Sequence, residues 1–230
     1  VVVTRTLKNL GLKAEDVENR LFGGRDAGIT APNAGTRKPL AQLDEITTKS
    51  LERIYDFRHS DKGWGWWKSG ASESYMTAYV VWGLSLAKAA GIKVRDEVLT
   101  GGVEWLDTHL AQYHEQSDMQ AWMLYALCMS GENLKEKNRL ETFKKIYERR
   151  EKLNTYTRAL LTLSAVKMGL KEESQVLARN LENGVIRDES PDETVLFRRK
   201  DTDQAGAADL VTAHWNRRVG WNWSDNGVEA

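Results

Sequence analysis

Asp61-Lys62-Gly63-Trp64-Gly65-Trp66-Trp67 is the stretch on which the reading of this sequence turns. Three tryptophans and two glycines within seven residues make a tight turn studded with large rings, and the residues that follow change character at once. From Tyr75 through Met76-Thr77-Ala78-Tyr79-Val80-Val81-Trp82-Gly83-Leu84 nearly every side chain is apolar. That run predicts a helix over 75–90 that is buried all round, because a surface helix would keep a polar face. The helix before the turn has a single apolar stripe, Leu40, Leu43, Ile46, Leu51, Ile54 and Tyr55, ending near His59.

Beyond this point helices of the two kinds alternate. Residues 94–112 carry a narrow stripe (Val94, Val98, Trp105, Leu106, Leu110) and so predict one wet face. Residues 118–130 are apolar again, with Asp118 placed as N-cap. Residues 134–151 are amphipathic, 155–168 apolar and 172–183 amphipathic. The three apolar members resemble one another: Thr77-Ala78-Tyr79-Val80-Val81-Trp82, Gln120-Ala121-Trp122-Met123-Leu124-Tyr125 and Thr157-Arg158-Ala159-Leu160-Leu161. Their starts lie 43 and 37 residues apart. A period near 40 residues with two helices per period is the mark of a helical repeat array. Wholly apolar inner helices favour a closed ring over an open solenoid, whose concave face would be wet. The expected fold is therefore all-α, an α/α toroid of the terpenoid cyclase and prenyltransferase kind, forming a single partial domain over 1–230.

Outside the helix pairs the sequence is less regular. Val1 to Leu10 predicts the tail of a helix stopped by a left-handed Gly11, and 22–39 a loop rich in glycine and proline. Residues 187–220 predict a loop or hairpin insertion, with a short strand at Thr194-Val195-Leu196-Phe197. Gly220-Trp221-Asn222-Trp223-Ser224 then restates the opening block, and Val228-Glu229-Ala230 reads as the first turn of another inner helix. With no initiator Met, the start reads as a cut, and at least one further helix pair is expected beyond the end.

Bulk composition narrows the function classes. The 33 basic and 33 acidic residues cancel; with no basic stripe, nucleic acid is not an expected partner. No apolar run reaches the roughly 18 residues that would span a membrane. A single cysteine, Cys128, rules out an internal disulfide and a multi-cysteine zinc site. No His/Asp/Glu spacing suits a metal, and no cofactor is expected.

The block at 61–67, followed closely by Tyr75-Met76-Thr77-Ala78-Tyr79-Val80, resembles one in the thioester-containing domain of bacterial α2-macroglobulin-like proteins. So do Gly102-Val103-Glu104-Trp105-Leu106, the segment Gly220-Trp221-Asn222-Trp223-Ser224 into Gly227-Val228-Glu229-Ala230, and Val1 to Leu12. The resemblance implies an extracytoplasmic protein (periplasmic, cell-envelope or extracellular) that traps proteases. Its partners would be those proteases and other domains of the same polypeptide. In such proteins a Cys–Gln thioester is kept dry until a conformational change admits a nucleophile. Its motif, Cys-x-Glu-Gln, is absent: Cys128 is followed by Met129-Ser130-Gly131. The chain thus implies a scaffold without catalysis of its own.

The resemblance also offers His114, in the loop before an inner helix, as an acyl-transfer residue; the bland alternative is a surface-loop histidine. His59 and His109 read as helix-face residues and His214 as a loop residue. Trp64, Trp66, Trp67, Trp221 and Trp223 are expected to plug between helices rather than stack on a ligand. Met76, Trp82, Trp122, Met123 and Met129 are expected in the core. Asp201-Thr202-Asp203 superficially matches an acidic cyclase motif, but it lacks a further acidic partner and reads as solvated loop. Asp188, Glu189, Asp192 and Glu193 could supply a glycosidase carboxylate pair, and a charged loop explains them equally well. Two other readings stay open: a toroid enzyme on a terpenoid or saccharide, and a thioester-less protein-interaction module.

Overall fold

The computed structural model describes residues 43–113, 115–134, 136–188 and 212–215, together with positions 6, 10 and 11. Among them seven α-helices follow one another: α1 (Leu43–Asp56), α2 (Ser74–Ala89), α3 (Asp96–His109), α4 (Ser117–Ser130), α5 (Lys137–Glu148), α6 (Thr155–Met168) and α7 (Lys171–Asn183). Short 3-10 turns at Leu110–Tyr113 and Arg150–Lys152 extend α3 and α5. After α7 the described residues form two short strands, β1 (Val185–Asp188) and β2 (Thr212–Trp215), paired antiparallel with Val185 opposite Trp215. The described residues are mostly helical, as the periodicity predicts, and each helix lies within a few residues of its expected span.

The chain divides into two compact units, 1–109 and 110–230. In the first, α2 packs against α3 through Ala78, Val81, Leu84, Val98, Leu99, Val103 and Leu106, all buried. Glycine makes that contact close. A Cβ on Gly102 would stand 2.7 Å from Val81 Cγ2 and 2.9 Å from Trp64 Cζ3, so the neighbours occupy the space a side chain would need. Helix α1 holds the start of α3 from outside. The Arg95 guanidinium lies 4.8 Å over the Tyr55 ring and reaches both Glu52 carboxylate oxygens at 2.8 Å, while its backbone N–H donates to the Tyr55 hydroxyl.

In the second unit α4 is the central element, packed against α5, α6 and the 3-10 turn at 110–113, and α6 packs on α7. Met123, Leu124, Leu127, Phe143, Ile146, Leu161, Met168 and Leu177 form its core. Asn154 caps α6 by accepting from the Thr157 N–H at 2.7 Å. Gly131 and Gly169 end α4 and α6 in the left-handed region, at φ +76° and +73°. The Trp215 indole N–H donates to the Leu181 carbonyl, tying the hairpin to the end of α7.

Several expectations are corrected. Helix α4 is buried on nearly every side, but α2 exposes Tyr75 and Tyr79, and α6 exposes Leu163 and Val166. An apolar sequence states what a helix can bury, not whether a neighbour is there to bury it. Met76, Trp82 and Met129 are accordingly half-buried, whereas Trp122 and Met123 are core. Asp118 is not the N-cap of α4; Gln116 occupies that position, and the Asp118 carboxylate accepts from the next backbone N–H. His59 sits in the turn after α1 rather than on a helix face, and His214 lies in β2 opposite Ile186 rather than in a loop. Strands pair over 185–188 and 212–215, within and beside the stretch 187–220 for which a loop or hairpin is expected; the rest of that stretch, with the expected strand at 194–197, lies outside the described residues. Gly11 has the left-handed φ of +63° expected of it.

Candidate functional site

The turn at 61–73 is densely hydrogen-bonded among the described non-helical residues of the first unit. Trp64 is its anchor. Only 2% of its surface is exposed, and its indole N–H donates to the Ile54 carbonyl at 2.9 Å. Its backbone N–H donates to Thr77 Oγ1, which in turn donates to the Trp64 carbonyl. One buried threonine in the first turn of α2 thereby fixes the ring-bearing residue ahead of it. Gly65 follows because a Cβ there would run into the Ala71 carbonyl.

Around that anchor runs a polar chain. The Asp61 carboxylate accepts from the Gly63 N–H at 3.1 Å, from Ser72 Oγ at 2.7 Å and from the Trp105 indole of α3 at 3.0 Å. Burial pushes the Asp61 pKa up, but the bonds from Ser72, Gly63 and Trp105, with the charge of His59, outweigh it and leave the group below its ordinary value. His59 Nδ1 lies 3.0 Å from Ser72 Oγ, and Nε2 lies 2.9 Å from the Trp67 carbonyl oxygen. Lys62, at a left-handed φ of +76°, pairs with Glu104 of α3 at 2.7 Å. The hydrogen bond from Lys62, then its charge, lowers the Glu104 pKa. Lys68 pairs with Asp56 at 2.6 Å.

This Ser–His–Asp set is not a nucleophilic triad. In a triad the histidine stands between serine and carboxylate and takes the serine proton. Here serine stands between the other two, and the far histidine nitrogen is occupied by a carbonyl. The set is a brace. What it presents to solvent is Trp66 and Trp67, 65% and 77% exposed. Plugging between helices thus holds for Trp64 alone among the described tryptophans of the two blocks; Trp221 and Trp223 lie outside the described residues. Neither His59 nor Ser72 stood out in the sequence as part of a site. The visible signal was Asp61-x-Gly63, a carboxylate bonding two residues ahead.

The other sequence candidates are dispersed. His114 lies outside the described residues; beside it, the Gln116 N–H donates to the Tyr113 carbonyl at 2.8 Å and closes the turn into α4. His109 stacks on Trp105 at 3.7 Å and bonds that residue's carbonyl. Cys128 is buried in α4. Asp188 ends β1, while Glu189, Asp192, Glu193, Asp201 and Asp203 lie outside the described residues, so no carboxylate pair is formed there among described groups. No cluster of three His, Cys, Asp or Glu suited to a metal occurs among the described residues.

No family model matches the chain. It is 38% identical over 85 residues to the alpha-2-macroglobulin of Thermotoga maritima, a match covering 37% of this chain and 5% of that protein. It is similar in fold to alpha-2-macroglobulin of Escherichia coli in its native state. Over the portion from domain MG7 to the C-terminus the TM-score is 0.55 at 17% identity, covering 79% of this chain and 31% of that one. The cryo-EM native conformation gives 0.54 at 17% identity, covering 74% and 11%. The trypsin-activated form gives 0.51 at 19% identity, covering 64% and 10%. The chain thus spans about one twentieth of the curated relative, and its resemblance is to bacterial alpha-2-macroglobulins in both local sequence and fold.

Proposed function

We propose that the chain is part of the thioester-type domain of a bacterial α2-macroglobulin-like protein, where it serves as scaffold in protease trapping, with no thioester in this chain. The observation that carries this reading is the 38% identity over 85 residues to the Thermotoga protein, joined to a fold match over 79% of the chain. In this reading the alternating helix pairs belong to a single α/α toroid, the thioester chemistry belongs to residues other than Cys128, and the whole polypeptide works outside the cytoplasm. Among the described residues no helix is long and apolar enough to cross a membrane. The exposed rings of Trp66, Trp67, Tyr75 and Tyr79 support contact with other domains of the same polypeptide, since large apolar patches on a free surface are rare.

The test is made on the complete polypeptide. Trypsin incubated with it should lose activity on a protein substrate while keeping activity on a small peptide ester. Unchanged cleavage of the protein substrate would sink the reading. Within it, His114 is the acyl-transfer candidate. His114→Ala should slow covalent coupling of an amine or protease on the order of 100-fold, the usual scale for loss of a positioned acid or base. Coupling at the wild-type rate returns His114 to the role of a surface-loop residue.

A further inference from the structure

A carbonyl oxygen only accepts, so the 2.9 Å contact to the Trp67 carbonyl needs a proton on His59 Nε2. At the other end the Asp61 carboxylate, held ionised by three donors, also only accepts. The single Ser72 proton is therefore committed to Asp61. The remaining contact, His59 Nδ1 to Ser72 Oγ at 3.0 Å, then requires Nδ1 to donate. A neutral imidazole has one N–H, and only the imidazolium has two. With His59 neutral, either Ser72 turns from Asp61 to Nδ1, or the Trp67 carbonyl loses its donor.

The geometry points to His59 as a proton-operated latch on the Trp66–Trp67 turn: protonated, it ties the Trp67 carbonyl to Ser72 and Asp61; deprotonated, it releases one of those ties and loosens the turn. The other charged groups on the surrounding elements are already matched. Asp56 of α1 pairs with Lys68, and Glu104 of α3 with Lys62. Arg58 spends its guanidinium on the Lys62 and Glu97 carbonyls and on the Trp64 ring. Glu73, at the start of α2, points its backbone N–H at the Trp64 carbonyl and bonds no part of the imidazole. Asp61 is the charge that answers His59, and it answers through Ser72. What the latch governs is the presentation of two exposed indoles, so the consequence reaches whatever meets that surface.

The test uses the full chain labelled with fluorotryptophan, with the Trp66 and Trp67 fluorine resonances assigned by single Trp→Phe variants. Raising the pH from about 5 to about 8 should narrow both resonances. Over the same range, amide exchange across 66–72, corrected for its intrinsic pH dependence, should rise on the order of tenfold, the loss of one hydrogen bond to a charged group. His59→Gln should abolish that pH step. A purely structural brace would instead raise exchange equally at all pH values. Should that variant fail to fold, Ser72→Ala keeps the imidazole and must shrink the step, while ring-nitrogen NMR of the wild type reads the His59 proton count directly. A wild-type chain with no step, or a step that survives His59→Gln, overturns the latch and assigns any response to His109, His114 or His214.

Discussion

At the residue scale, two glycines one helix apart have opposite requirements. Gly102 is walled in by Val81 and Trp64, while a Cβ on Gly83 would meet nothing within 4 Å. Gly102→Ala should therefore cost about 1–3 kcal/mol through overpacking, and Gly83→Ala should gain about 0.5–1 kcal/mol from lost backbone freedom in the unfolded chain. Urea midpoints of the two variants should move in opposite directions. Asp61 provides the pH counterpart. Its folded-state pKa lies below the unfolded value, so its contribution is present above the unfolded value and is lost as pH falls through the folded one. Asp61→Asn should thus be less stable than wild type at neutral pH, and thermal melts of the two proteins should draw together as pH falls from about 3.9 through the lower folded-state value. Of this, only the Asp61-x-Gly63 turn was legible in the sequence. Trp105 and Asp61 are 44 positions apart, and periodicity says nothing about which polar groups meet across a turn.

At the scale of the element the sequence was far more informative, because helices obey local rules. Apolar spacing placed all seven described helices, while the glycines that end α4 and α6 were not singled out. The feature it did not disclose is the work of the polar residue opening each apolar run. Thr77, Gln120 and Thr157 are all buried in the first turns of α2, α4 and α6. Thr77 bonds the backbone of Trp64, the Gln120 amide donates to the Leu110 carbonyl, and Thr157 offers its N–H to Asn154. In each case the start of the helix is tied to the turn before it. The side chains of Thr77 and Gln120 gain partners they would otherwise lack, whereas Thr157 contributes only its backbone N–H, its buried hydroxyl being left without a partner among the described residues. Thr77→Val keeps the shape of the side chain and removes both bonds to Trp64. It should destabilise the chain by about 1–3 kcal/mol, the cost of a buried group left without its partner, with Trp64 fluorescence reporting the loosened turn.

At the scale of the whole molecule, composition misled in one respect: helices apolar enough to be buried all round are not all buried here. Tyr75 and Tyr79 on α2, Leu163 and Val166 on α6, and the indoles of Trp66 and Trp67 face solvent. Burial is a property of an assembly, and one chain's sequence records only readiness for it. Replacing Trp66 and Trp67 together with serine should change the chain's own unfolding free energy by less than about 0.5 kcal/mol, as for other exposed positions without partners. The same double variant in the complete polypeptide should show a larger loss, and a melt comparison of the two backgrounds measures the difference.

The pairing of β1 with β2 makes the end of α7 a reporter for a contact distant in sequence. Val185, two residues past α7, faces Trp215 across the strands, and the Trp215 indole donates back to the Leu181 carbonyl. A spectroscopic label at the end of α7 therefore reads whether the strand at 212–215 is docked, and a substitution that unseats Trp215 is felt thirty-four positions away in the chain.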